Sequence, residues 1–193
     1  MPFPKSTSAK GTDELYEAAV KALARRARSS GELRALLAKK KASRKDMDAV
    51  LKRLQEHGYL DDARFARDFA TFRLRNDLQG PARVQRDLAA RRVHPDLVHE
   101  AIGAAYEGVE EGELLRRHIR RKLRLTKPPE KPSALASLYR RLLRAGFRSA
   151  TIVRELKRMF PGPLSQRHRM PEASSWEELL NSLAEPDESE PRQ

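Results

Sequence analysis

The 193-residue chain has no cysteine, one tryptophan and only 6% aromatic residues. Without thiols it can hold no disulfide, no zinc ribbon and no cysteine nucleophile, which suits a reducing cytoplasm. No stretch approaches the roughly 20 apolar residues of a bilayer span. Residues 1–11 also lack the apolar block of a secretion signal, so the expectation is a cytoplasmic protein with no membrane partner. Catalytic patterns are missing too: no glycine-rich loop followed by Lys and Ser or Thr, no His-Glu-x-x-His, no Gly-x-Ser-x-Gly. His94 and His99 are five apart and do not share a helical face, while His57, His118 and His168 are isolated. The carboxylate pair Asp61-Asp62 reads as a helix cap with a second acid at the positive end of that helix. These absences predict a protein that is not an enzyme and holds no cofactor or metal.

What the chain has in excess is positive charge. Lys and Arg number 40 against 27 Asp and Glu, a formal +13. Seven acidic residues, Glu172, Glu177, Glu178, Glu185, Asp187, Glu188 and Glu190, stand against Arg192 in residues 171–193, a net of −6 that leaves +19 on the rest. Like charges at that density repel one another in a compact state, which favours a polyanionic partner such as nucleic acid. With so few aromatics, base stacking is not the dominant mode.

The apolar pattern is helical. Met47, Val50, Leu51 and Leu54 fall at i, i+3, i+4 and i+7, and Leu97, Val98, Ala101, Ile102 and Ala105 keep similar spacing, as do Phe65, Phe69 and Phe72. Ser30, Ser43, Asp61 and Ser149 are candidate helix caps, Pro95 suits a first helical position, and Gly58, Gly80-Pro81 and Gly146 are stops. Superposing the chain on itself reveals a repeat. Leu33, Leu37, Ala42, Met47 and Leu51 match Val84, Leu88, Val93, Val98 and Ile102 at an offset of 51, and these match Leu138, Leu142, Phe147, Ile152 and Leu156 at 54. The fold class predicted is all-α: three tandem three-helix repeats at residues 12–60, 61–108 and 109–160, stacked as an elongated solenoid-like array. Residues 1–11 read as a disordered N-terminus and 161–193 as an acidic tail. In the third repeat a loop carrying Pro128, Pro129 and Pro132 follows the leading helix. In the tail, Ser175 and Glu178 form a capping box and Trp176, Leu179, Leu180 and Leu183 lie on one stripe, which predicts a short helix over 175–184. That helix packs on its own protein or on a partner, or the tail screens the basic body.

Arginines cluster at related places. Arg25, Arg26 and Arg28 end the first leading helix, and Arg73 and Arg75 the second. Arg117, Arg120, Arg121 and Arg124 share one α-helical stripe in the third, with Arg116 and Lys122 directed elsewhere. Arg83 and Arg86 open the second helix of the middle repeat. Residues 33–60 also have the look of a helix-turn-helix before a wing. A wing needs two strands, whereas residues 61–72 are patterned as helix, so a winged-helix or non-specific DNA-binding protein is the second reading.

Specific motifs sharpen this. The run His57-Gly58-Tyr59-Leu60-Asp61-Asp62 with Arg64-Phe65, the preceding Arg26, Ser29, Glu32, Leu33 and Arg34, and Gly80-Pro81-Ala82-Arg83-Val84 with Asp87-Leu88 together resemble the RecX family, bacterial regulators of the recombinase RecA. Leu142 to Phe147 followed by Ile152 is a weaker match in the third repeat. The likeness covers about residues 13–160. It implies three three-helix units in a curved rod and a monomer that binds the RecA filament, with its single- or double-stranded DNA, along the filament groove. Filament growth or persistence would be limited, and strand exchange, ATP turnover and coprotease activity in the SOS response would fall. On that reading Arg83 and Arg86 lead the groove contacts, with Arg73 and Arg75 beside them; Gly58 to Asp62, Arg64, Phe65, Gly80 and Pro81 are mainly structural. The chain departs from the family at Lys41 and Arg92, which stand where glycine commonly precedes a repeat's third helix, so those two turns are expected to be built differently. The acidic tail is a further departure.

Overall fold

A computed structural model of the chain describes residues 9–125, 129 and 132–160; the predicted tail and its helix over 175–184 lie outside them. The fold is all-α, three successive groups of three helices: α1 (Ala9–Arg25), α2 (Ser30–Lys39) and α3 (Arg44–Glu56); α4 (Asp62–Arg75), α5 (Pro81–Ala90) and α6 (Pro95–Tyr106); α7 (Glu111–His118), α8 (Pro132–Arg144) and α9 (Ser149–Met159). No strand occurs among the described residues. Helix α1 begins at Ala9, so residues 9–11, read as part of a disordered N-terminus, are helical.

Two compact units form. One takes in the described residues up to Thr71 together with Gln85–Ala105; the other takes in Phe72–Val84 and the described residues from Tyr106 onward. The boundary therefore runs inside α4 and α5, dividing the middle group of helices by packing rather than by sequence repeat.

In the first unit Leu33, Leu37, Val50, Leu51, Leu54 and Leu60 bury against Ala19 and Ala22 of α1. The cap of α2 is Ser29, not Ser30. Its hydroxyl accepts the Glu32 N–H at 3.1 Å while the Glu32 carboxylate accepts the Ser29 N–H, a reciprocal capping box. Fully buried Ser29 also donates its hydroxyl proton to the Arg91 carbonyl. Ser30 is the first helical residue, and its N–H (2.7 Å) and hydroxyl both donate to Asp62. Asp61 caps α4 by accepting the Arg64 N–H at 2.9 Å. The acidic pair thus serves two helix starts: Asp61 its own, Asp62 that of α2.

In the second unit Leu114, Leu115 and Ile119 pack with Leu135, Tyr139, Leu142, Phe147, Ile152 and Leu156 around Leu78. Helix α9 is capped from outside itself. Ser149, expected as its cap, instead hydrogen-bonds the Tyr139 hydroxyl at 2.7 Å. Glu111 of α7 accepts the Arg148 N–H at 2.9 Å and the Thr151 hydroxyl at 2.8 Å, placing a carboxylate at the positive end of α9.

The three turns before the third helices are built alike, which corrects the expectation for Lys41 and Arg92. The φ angles are +59° at Lys41, +60° at Arg92 and +95° at Gly146. In each, two N–H groups return to the end of the preceding helix: Lys41 to Ala38 and Ala42 to Leu37, Arg92 to Ala89 and Val93 to Leu88, Gly146 to Leu143 and Phe147 to Leu142. This is the Schellman closure, and its acceptors and donors recur at the repeat offsets of 51 and 54. Lys41 and Arg92 adopt it at a steric cost of about 1–2 kcal/mol each that glycine avoids.

Candidate nucleic-acid interface

Where the chain leaves α4 it makes a tight, anchored turn in the second unit. Leu78 takes a left-handed φ of +53° and is buried. The Leu78 carbonyl accepts from His118 Nδ1 at 2.9 Å, and the Gln79 carbonyl accepts the Tyr106 hydroxyl at 2.8 Å. Gly80 then donates its N–H to Ala145 at 2.9 Å. The backbones of Gly80 and Gly146 lie so close that a Cβ on Gly80 would run into the Gly146 carbonyl, and one on Gly146 would lie 2.6 Å from the Cβ of Arg83. Two glycines are needed here because a side chain at either would separate the start of α5 from the end of α8. Pro81 follows as the first residue of α5, where its missing N–H costs nothing.

That close approach brings arginines together. Arg73 from α4, Arg83 from α5, Lys122 after α7, and Arg141 and Arg144 from α8 line one concavity of about 420 Å³, with Asp77, Gln79 and His118. Asp77 pairs with Arg73 at 2.7 Å and lies 3.8 Å from Lys122. Five cationic side chains and one carboxylate therefore line the concavity. Burial holds the His118 imidazole below its ordinary pKa, opposed by its bonds to the 77–78 backbone and reinforced by Arg141 and Lys122. The ring is therefore neutral at pH 7, with Nδ1 the protonated nitrogen that donates to Leu78. Gln79 carries a buried side-chain oxygen with no hydrogen-bond partner among the described residues; with its amide rotated half a turn it presents donors there instead. A cluster of guanidinium forks lining one concavity is suited to phosphate oxygens.

The sequence-predicted residues divide. Arg73 and Arg83 line this concavity; Arg75 and Arg86 are exposed on α4 and α5 and do not line it. Arg25 is exposed at the end of α1. Arg26 is committed to Glu32 at 2.8 Å, and Arg28 Nε donates to the Ala22 carbonyl at 3.2 Å. Burial raises the Glu32 carboxyl's pKa, but bonds from Arg26 and the Ser29 N–H, with Arg91 nearby, carry it below the ordinary value. The stripe Arg117, Arg120, Arg121 and Arg124 is not α-helical. Ile119–Leu123 forms a π-helical turn and Arg124 ends it at φ +51°, so the four do not share one α-helical face, although Arg117, Arg120 and Arg121 are all exposed. Lys122, Arg141 and Arg144 escaped sequence reasoning. Their signal was available in part, since Arg141 and Arg144 are three apart, one turn before the Gly146 stop. Of the remaining signature residues, Gly58 closes α3 at φ +71°, Leu60 is buried, Tyr59 is exposed, Arg64 pairs with Asp68 at 3.7 Å, and Phe65 stacks on Phe69. Among the described residues no group of three potential ligands could hold a metal ion, and no helix is long and apolar enough to cross a membrane.

Comparison with known proteins places this architecture. A family model described as the second three-helix domain of RecX matches residues 61–102. The chain is 32% identical over 165 residues to the Regulatory protein RecX of Deinococcus radiodurans, covering 82% of this chain and 78% of that protein. It is 33% identical over 122 residues to that of Mycobacterium marinum, covering 61% and 70%. Against the Regulatory protein RecX of Oceanobacillus iheyensis identity is 24% and the chain spans 53% of the relative's length. The crystal structure of RecX from Lactobacillus salivarius shares the fold with a TM-score of 0.59 at 15% identity, covering 78% of this chain and 97% of that one. With its all-α fold matched in solved structures and a 32% identical relative aligned over four-fifths of its length, the chain belongs to the RecX family of regulatory proteins.

Proposed function

We propose that this protein is a non-enzymatic negative regulator of the RecA recombinase. It acts as a cytoplasmic monomer that binds the RecA–DNA filament along its groove and limits filament growth and stability, lowering strand exchange, ATP turnover and coprotease activity. The observation that carries the reading is RecX membership at 32% identity over most of the chain. The concavity lined by Arg73, Arg83, Lys122, Arg141 and Arg144 supports it by supplying a phosphate-compatible surface for the DNA in the filament, single- or double-stranded. Arg75, Arg86, Arg117, Arg120 and Arg121 are further exposed cations for the same polyanion. The winged-helix alternative loses its ground because α4 occupies the place of the wing. A general DNA-coating protein shares the charge, and relative affinity separates the two.

The test is charge reversal at Arg75, Arg83 and Arg141, with helical circular dichroism as the control for folding. Binding to RecA filaments on single-stranded DNA, read by fluorescence anisotropy, is expected to fall at least tenfold, each lost phosphate contact being worth on the order of 1 kcal/mol. Undiminished filament binding by a folded variant removes these residues from the interface. Wild-type affinity for naked DNA equal to that for the filament favours the coating protein instead.

A further inference from the structure

A second concavity in the same unit, about 500 Å³, combines an apolar floor of Leu125, Met159 and Phe160 with a cationic rim of Arg116, Arg120 and Arg158. Arg116 is engaged with Glu155, whereas Arg120 and Arg158 make no ion pair among the described residues. Phe160, in the wall of this concavity, is also where the described part of the chain ends, 33 residues before Gln193. Those residues include Ser175 to Ala184, in whose sequence Trp176, Leu179, Leu180 and Leu183 keep the i, i+3, i+4, i+7 spacing of one helical stripe with Glu177 at its edge, within a stretch of net charge −6.

We propose that residues 175–184 of the chain's own acidic tail occupy this concavity, laying Trp176 and the leucines on Leu125, Met159 and Phe160 and the flanking Glu177 carboxylate against Arg120 and Arg158. Three features commit the site to this occupant. The chemistry is complementary in both parts, apolar to apolar and acidic to basic. The tether is sufficient, because the 16 residues from Phe160 to Trp176 span about 50 Å when extended. Tethering also raises the effective concentration of the segment to the order of 1 mM, so a weak contact is populated. A segment seated there covers cations that a polyanion would otherwise meet, so docking and DNA binding compete at Arg120 and Arg158. The docking itself is independent of the RecA reading, and its failure would leave that reading untouched.

Trp176 is the only tryptophan of the chain, so its fluorescence in the full-length protein reports the tail alone. Docking is expected to give an emission blue-shifted from that of a peptide of residues 171–193 and an acrylamide quenching constant severalfold smaller, both unchanged on dilution. Two full-length variants should return both readings to the peptide values: Arg120→Glu with Arg158→Glu, which alters the rim, and Leu179→Glu with Leu183→Glu, which alters only the tail and leaves the folded units intact. A wild-type Trp176 that behaves like the peptide overturns the proposal. So does a protected Trp176 indifferent to the rim variant, which places the tail elsewhere, or one whose protection is lost on dilution, which makes the occupant's host a second copy.

Discussion

Replacing Lys41 by glycine should stabilise the protein. Lys41 holds φ +59° and closes α2 through its own N–H to Ala38 at 2.9 Å and that of Ala42 to Leu37 at 3.4 Å. A non-glycine residue in this region carries about 1–2 kcal/mol of strain between Cβ and backbone. Glycine removes it but enlarges the unfolded ensemble, a loss of about 0.5–1 kcal/mol. The Lys41 side chain is exposed and its substitution forfeits no packing, while both backbone bonds are kept. The balance is a gain of about 0–1.5 kcal/mol, readable as a higher urea midpoint at unchanged slope. The reciprocal change, Gly146→Ala, adds strain at φ +95° and sets a methyl 2.6 Å from both Arg83 Cβ and the Gly80 carbonyl, so it should cost more than about 2 kcal/mol. A Lys41→Gly variant destabilised by about 1 kcal/mol or more would refute the reasoning, because the strain relieved is at least as large as the entropic loss at an exposed left-handed turn.

Two further outcomes follow from the second unit. Glu155→Gln should cost about 1–3 kcal/mol, less than a fully buried pair would, because Arg116 and Arg154 keep 25% and 62% of their side chains in solvent. Burial alone would raise the Glu155 carboxyl, but the bonds from both arginines outweigh it and hold it below its ordinary value. The contribution is therefore fully present above the unfolded carboxyl's pKa of about 4.3 and is lost as pH falls through the folded one, so the variant's stability should depend less on pH below about 4.5. Lys122→Ala with Arg141→Ala should lower the slope of log affinity for DNA-bearing filaments against log salt by up to about 1.8 if each meets one phosphate, and an unchanged slope would remove both from phosphate contact.

How far the sequence could be read depended on the range of the interaction. Helix type and the repeat were legible because Leu33, Leu88 and Leu142 sit on local 3.6-residue stripes whose spacing survives in the structure. Caps made by neighbours in sequence, such as Ser43 accepting from Asp46, were legible for the same reason. Glu111 capping α9, 37 residues away, and Asp62 serving α2 were not, because only packing brings those partners together. The Lys41 and Arg92 turns misled because propensity favours glycine there, yet the backbone bonds outweigh about 1–2 kcal/mol of strain. The π-helical turn at Ile119–Leu123 broke a stripe inferred from α-helical spacing. The basic concavity was half legible: Arg73 and Arg83 stood out by clustering, while Lys122, Arg141 and Arg144 join them only through the Gly80–Gly146 approach.

The central claim, regulation of a RecA filament through a basic surface rather than through catalysis, is tested most directly by RecA ATPase on single-stranded DNA with this protein added at well under one copy per RecA subunit. The account predicts strong inhibition by the wild type, and inhibition lost in the folded Arg75→Glu, Arg83→Glu, Arg141→Glu variant. ATP turnover unaffected by the wild type, even at one copy per subunit, would contradict it.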